Sequence, residues 1–172
     1  MSVGAAQDQL RLGFLAAVEE ADGGVVGGLL VTNRFGRPLE FQCTTPVRPN
    51  RTQQILYGPT LRPFLLAEVI GRTLLDKVGV KPHLVLTESA ELLELRQHVP
   101  MPVASLIPAD ADVDERAVVL PLGRQRLRFH DDFPQDLREI EHRRDQVPDT
   151  ADLQEPFERI REALSETLKK AG

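Results

Sequence analysis

Cysteine is nearly absent from this chain. Cys43 is the only one in 172 residues, which excludes an internal disulfide and a cysteine-based zinc site. Tryptophan is missing, tyrosine occurs once, at Tyr57, and aromatic residues make up 5% of the chain. Lysine is confined to Lys77, Lys81, Lys169 and Lys170, so arginine carries most of the positive charge. That bias fits a GC-rich bacterial genome. No stretch approaches the roughly 18 apolar residues of a membrane-crossing helix. The first twenty residues lack the basic and apolar regions of a secretory signal. The expectation is therefore a cytoplasmic protein with no membrane association. An excess of positive charge is also missing: 21 Lys and Arg stand against 26 Asp and Glu, a net charge of −5. Bulk attraction to nucleic acid is excluded, although a local basic patch remains possible.

Apolar residues reach 41% and charged residues 27%, an ordinary globular composition. The length suits one domain, large enough to fold around its own core without staples. Hydrophobic patterning predicts an α/β fold with a mixed sheet. Three strands at about 13–20, 25–32 and 38–45 open the chain as an antiparallel meander, with Asp22-Gly23 as a hairpin turn. The third strand alternates Leu39, Phe41 and Cys43 against Glu40, Gln42 and Thr44. This pattern buries the Cys43 thiol as an inert group. The pairs Gly23-Gly24 and Gly27-Gly28 read as turn and close-packing positions.

After a short helical turn near 52–57, a long buried helix is predicted over 60–78, capped by Thr60 and stopped at Gly79. A strand at 83–87, separated from the meander by that helix, should join the same sheet in parallel. A helix at 89–98 capped by Ser89, a strand at 102–107 and a hairpin over 117–129 complete a core domain of residues 1–130, in which residues 1–11 read as a loose start. Residues 131–172 carry 12 acidic and 7 basic side chains and form a helical C-terminal extension, with helices near 134–145 and 153–170. In the last helix Phe157, Ile160, Leu164 and Leu168 form a narrow apolar stripe suited to packing or to a partner.

Chemical motifs are few. GxGxxG and GxxxxGK[ST] phosphate loops are absent, and Ser89 and Ser105 lie in no nucleophile-elbow context. The histidines His83, His98, His130 and His142 are scattered, and only His130-Asp131-Asp132 has a locally metal-like composition. No cofactor, metal or catalytic residue is assigned from the residues alone. Arg124, Arg126 and Arg128 alternate along one strand and read as a charged edge that discourages strand pairing, or as a partner strip.

The most unusual segment is 44–57. It combines Thr44, Thr45, Arg48, Asn50, Arg51, Gln53, Gln54 and Tyr57, all capable of polar recognition. Between Arg34 and Arg62 there are five arginines and one acid, Glu40. Arg48 and Arg51 could hold a phosphate or carboxylate bidentately, and Gln53 and Gln54 could read an amide or base edge. These eight residues form the expected ligand site.

Three antiparallel strands followed by helix, strand, helix and strand, over about residues 12–107, is similar to the ribonuclease H-like fold in its endonuclease V branch. That resemblance implies two divalent metals held by acidic residues at strand ends, including an aspartate in the first strand. Here the first strand reads Phe14-Leu15-Ala16-Ala17-Val18, with no acid before Glu19; Glu40, Glu68 and Glu88 approximate later ligands. Two expectations follow. The principal one is a non-catalytic binding or assembly domain, with a protein partner or a second copy, acting through 44–57 and the C-terminal helix. The alternative is a divergent metal-dependent nuclease in which Glu19, Glu40 and Glu88 converge on one metal position.

Overall fold

The computed structural model describes residues 9–171. The expected loose start at 1–11 thus lies mostly outside the described residues, although Leu10 is fully buried. Seven strands form one mixed sheet: β1 (Arg11–Glu19), β2 (Val25–Asn33), β3 (Pro38–Cys43), β4 (Leu84–Thr87), β5 (Val103–Ile107), β6 (Val119–Leu122) and β7 (Gln125–Phe129). Their spatial order is β3-β2-β1-β4-β5-β7-β6. The meander β1–β2–β3 is antiparallel, and β4 joins β1 in parallel, with Leu12 opposite Leu84 and Leu15 opposite Thr87. β5 extends the parallel run, and the β6–β7 hairpin closes the sheet antiparallel.

The helical elements are α1 (Arg51–Tyr57), α2 (61–77), a 3₁₀ helix (Ala90–His98), α3 (Gln135–Glu141) and α4 (Glu155–Ala171). The helical path begins at Arg51, one residue before the expected turn near 52–57, because Asn50 caps α1 through a capping box. The Asn50 side chain accepts from the Gln53 amide, and the Gln53 side chain accepts from the Asn50 amide. Gly58, at φ 52° and ψ −131°, then turns the chain from α1 into α2, a conformation a side chain would resist. Most of α2 is π-helical, over Phe64–Arg72. Two expected caps are corrected. Thr60 donates its hydroxyl to the Tyr57 carbonyl and Ser89 makes no side-chain cap bond.

Two apolar layers sandwich the sheet, and the period of two along each strand decides which residue joins which. Leu12, Phe14, Ala16, Leu84 and Leu86 face one side, with Ile140, Phe157, Ile160 and Leu164 over them. Leu15, Leu29, Val85 and Val103 face the other, beneath Leu66, Ile70, Leu74, Leu92 and Leu95. The apolar stripe of α4 is therefore part of the core: Phe157 meets Phe14 edge-on at 5.5 Å, Leu164 is buried and Leu168 packs against the same cluster. It is not a free face for a partner.

β2 shows why glycine pairs were needed. A Cβ on Gly27 would lie 2.1 Å from Ile70 Cγ2 on α2, and one on Gly28 would lie 2.8 Å from Ile160 Cγ2 on α4. The strand is squeezed by a helix on each side. Cys43 is half-buried against the core. β7 is flanked by β5 and β6, so the Arg126 and Arg128 alternation is not an edge device. Arg126 instead donates to the Pro108 and Ala111 carbonyls, while Arg128 reaches Asp131 at 3.8 Å.

One buried ion pair ties the C-terminal region to the 3₁₀ helix. Arg96 donates from Nε to Asp136 Oδ2 at 2.7 Å and from Nη2 to Oδ1 at 3.2 Å, gives Nη1 to the Val99 carbonyl at 2.9 Å, and lies over the Phe133 ring. The Asp136 side chain is 1% exposed and that of Arg96 12%. Removing one partner of such a pair strands the other charge in a dry site, so Arg96→Ala should cost about 3–5 kcal/mol in urea unfolding. Gly27→Ala should cost about 1–3 kcal/mol by overpacking against Ile70, read by the same measurement.

Candidate functional site

Most polar groups of the eight residues expected to bind a ligand already have partners within the chain. Thr44 accepts the Gly27 amide through Oγ1 at 2.9 Å. Arg48 donates from Nε to Asp22 at 2.8 Å and from Nη2 to Glu20 at 3.0 Å, and so clips the β1–β2 turn. The Gly24 amide and then Arg48 hold the Asp22 carboxyl below the ordinary carboxylate range. Asn50 and Gln53 are occupied by the capping box. Gln54 reaches the Pro49 carbonyl and accepts from Arg51, both at 3.4 Å. Tyr57 stacks on Phe64 with ring centroids 4.7 Å apart. Thr45 is on the exposed stretch before the helix. Of these side chains, Arg51, Gln54 and Tyr57 stay on the exposed surface of α1, together with Ile55 and Leu56.

The carboxylates of the nuclease alternative do not converge. Glu40 is on β3, at the edge of the sheet, where it accepts the Gly79 amide at 3.0 Å, the Val80 amide at 2.8 Å and the Gln42 side chain at 2.8 Å. Glu68 is on α2 and approaches His98 at 3.8 Å. Only Glu19 and Glu88 come to the same end of the sheet, because β1 and β4 run parallel and both finish there.

Between those strand ends is a small cleft of about 90 Å³. Its floor is apolar, formed by Leu15, Ala17, Leu66 and Leu92. Its rim carries Arg62 from α2, Arg161 from α4, and Thr87, Glu88 and Ser89 from the end of β4. Arg62 donates to Glu19 and, from Nε at 2.8 Å, to Glu91. Those two carboxylates, Glu19 first, raise its proton affinity further. Arg161 donates from Nη1 to Glu88 at 2.5 Å, and the other Glu88 oxygen takes the Gln154 side chain. Each guanidinium keeps donors uncommitted by these contacts: Nη2 on Arg62, Nε and Nη2 on Arg161. Their side chains are 53% and 44% exposed, so those donors can meet a ligand from solvent. Arg62 also borders a second cavity of about 370 Å³, whose other walls include Glu19, Pro49, Gln54 and Gly58. The shared arginine thus links the strand-end cleft to the 44–57 segment. Reading the sequence alone missed Arg62 and Arg161, since neither belongs to a motif and only the fold places them beside the end of β4.

No protein-family model and no curated protein matches the sequence. Solved structures do. Endonuclease V of Ciona intestinalis, in complex with an inosine-containing 23mer DNA, is similar over 96% of this chain and 88% of its own, with a TM-score of 0.51 and 11% identity. Human endonuclease V follows at a TM-score of 0.47 and 10% identity, covering 93% of this chain and 86% of that one. An RNase H1 isolated from compost covers 95% and 98% at a TM-score of 0.36 and 14% identity. The fold is a mixed α/β sheet with helices of the ribonuclease H-like kind, as the element order implied. This corrects the principal functional expectation. The solved structures similar to this chain are nucleases, which favours the alternative's fold over a non-catalytic assembly domain, although the convergence of Glu19, Glu40 and Glu88 that the alternative expected does not occur.

The two-metal centre implied by that resemblance does not fit the residues present. Among the described residues no group of three or more His, Cys, Asp or Glu is arranged to hold a metal ion. Opposite Thr87 at the end of β4, β1 presents Leu15, which is fully buried. Glu19 and Glu88 are each bonded to a guanidinium. His130, the centre of the metal-like run, is buried with Nε2 3.4 Å from Glu94 and Nδ1 accepting the Asp132 amide. No helix among the described residues is long and apolar enough to cross a membrane.

Glu40 serves structure, and its titration can be followed. The Gln42 side chain, then the Val80 and Gly79 amides, hold its carboxyl below the ordinary value of 4.5. A folded-state pKa below the unfolded one contributes stability that is complete above about the unfolded value and disappears as pH falls through the folded one. Glu40→Gln should therefore lower the melting temperature at neutral pH, and the gap to the unmodified protein should close on acidification below 4.5.

Proposed function

We propose that this chain acts on nucleic acid as a divergent nuclease, with a phosphodiester seated at the rim of the cleft where β1 and β4 end. The observation that carries the reading is Arg62 and Arg161, two exposed guanidiniums with free donors at the parallel strand ends of a nuclease-type fold. In open α/β sheets the crevice beyond the carboxyl ends of parallel strands is where ligands bind. Guanidinium groups suit phosphate because their planar donors match two oxygens at once. The Ciona endonuclease V is bound to DNA, which supports the substrate class at the level of fold.

The reaction that suits these groups is hydrolysis. A water oxygen bonds to phosphorus as one of its protons passes to the Glu88 oxygen that releases the Gln154 side chain, and Glu88 then returns that proton to solvent. The P–O bond to the leaving oxygen then breaks, and that oxygen takes a proton from bulk water. Arg62 and Arg161 offset the charge gathering on the phosphoryl oxygens, the role preorganised donors fill in phosphoryl transfer. Glu88 is the carboxylate closest to this task, on the rim beside the uncommitted donors of Arg161. The 44–57 segment would extend the binding track, with Arg51 on a neighbouring phosphate and Gln54 and Tyr57 near the bases. A soluble partner protein is not needed for this reading.

The test is a gel assay with end-labelled single- and double-stranded DNA and RNA, paired with fluorescence anisotropy. Cleavage should fall with Glu88→Gln by far more than binding does, since binding loses only the orientation that Glu88 gives Arg161. Arg51→Ala should weaken binding uniformly across sequences and reduce the salt slope by about 1. Absence of both binding and cleavage on every substrate sinks the reading.

A further inference from the structure

The strand-end cleft differs from a metal centre in what surrounds it, and that difference has a chemical consequence. A divalent cation needs several hard oxygen ligands that converge and are free to coordinate. Here the floor is Leu15, Ala17, Leu66 and Leu92, which offer none. The carboxylates at and beside the rim are already engaged: Glu19 and Glu91 with Arg62, and Glu88 with Arg161 and the Gln154 side-chain amide. Each of these arginines comes from a helix packed on a different face of the sheet. α2 contributes Leu66 and Ile70 to one apolar layer, and α4 contributes Phe157 and Ile160 to the other. The guanidinium donors at the cleft are thus supplied by the protein itself and held from two sides.

We infer that this cleft engages a nucleic-acid phosphate through Arg62 and Arg161 in place of divalent metal ions, so that binding needs no Mg²⁺ or Mn²⁺. The inference rests on the nucleic-acid reading above and specifies its chemistry. The carboxylates then have a defined part: they orient the two guanidiniums before the ligand arrives, leaving Nη2 of Arg62 and Nε and Nη2 of Arg161 to meet phosphate oxygens. Preorganised donors lose less freedom on binding than lone flexible side chains do. Because Arg62 also borders the larger cavity beside Pro49 and Gln54, a strand whose phosphate sits here has room for its next nucleotide against the 44–57 segment.

The experiment measures binding of labelled single-stranded RNA and DNA by fluorescence anisotropy, in excess EDTA and again in Mg²⁺. Binding of Mn²⁺ alone to the full chain is measured by calorimetry. The expected result is comparable affinity in EDTA and in Mg²⁺, no saturable Mn²⁺ site, and a loss of about tenfold to a hundredfold for Arg62→Ala with Arg161→Ala, since charge-assisted bonds carry roughly 1.5–3 kcal/mol. Arg62→Lys with Arg161→Lys keeps the charge and should recover only part of the affinity, because the bidentate fork is gone. Circular dichroism melts establish that these variants are folded. Binding that appears only with Mg²⁺ or Mn²⁺, or a Mn²⁺ site removed by Glu88→Gln, overturns the inference and leaves the nucleic-acid reading standing. Unchanged affinity in the folded double-alanine variant also overturns it. If no nucleic acid binds under any condition, the nucleic-acid reading itself falls.

Discussion

The parallel pairing of β1 with β4 is the contact on which the rest of the structure depends. It brings a strand from the opening meander against a strand more than sixty positions later in the chain. The pair lies in the middle of the sheet, so each face must be covered, and the residues of both strands are apolar on both faces as buried parallel strands require. α2 and the 3₁₀ helix cover one side, and α3 and α4 the other. The two glycines of β2 let the covering helices approach at close range. The same pairing places two strand ends side by side, and so creates a cleft that residues from β1, β4, α2 and α4 share.

That burial also shapes the chemistry. Leu15 occupies the β1 position opposite Thr87, inside the apolar layer beneath Leu66 and Leu92. Leu15 adds to the apolar floor there, and Glu19 and Glu88 stand at the strand ends themselves. Both acids meet arginines supplied by the helices. The cleft is consequently an apolar floor with an ionic rim, an arrangement that suits a phosphate approached by guanidinium forks better than a cluster of bare carboxylates. The fold is similar to that of the endonuclease V structures, and at its strand ends here stand Arg62, Arg161 and Glu88.

Much of the architecture was legible because its signals are local. Alternation in β3, the Asp22-Gly23 turn and the apolar runs of β2 and β4 identify strands within a few residues. The stripe of Phe157, Ile160, Leu164 and Leu168 identified α4, but a stripe does not say what covers it; only packing against Phe14 and its neighbours answers that. The polar residues of 44–57 were also visible, yet their tasks were not. Asn50 and Gln53 look like ligand groups in one dimension and prove to be a helix cap, because the side-chain amide that reads a ligand can equally satisfy an orphan backbone N–H. Arg48 likewise belongs to the β1–β2 turn through Asp22 and Glu20, residues 26 and 28 positions earlier.

The sequence by itself determined the fold class, the opening meander, the parallel addition and the lack of any phosphate loop, since each follows from short-range periodicity or composition. The tertiary structure alone decided which charges meet. Arg62, Glu91, Glu88 and Arg161 are dispersed over a hundred residues and carry no shared spacing. They converge because two helices, bound to opposite faces of one sheet by apolar burial, end their charged side chains beside the same pair of strand ends. Hydrophobic burial is short-ranged and non-directional and so leaves a periodic trace in the sequence; an ion pair between distant elements leaves none until that burial has set their positions.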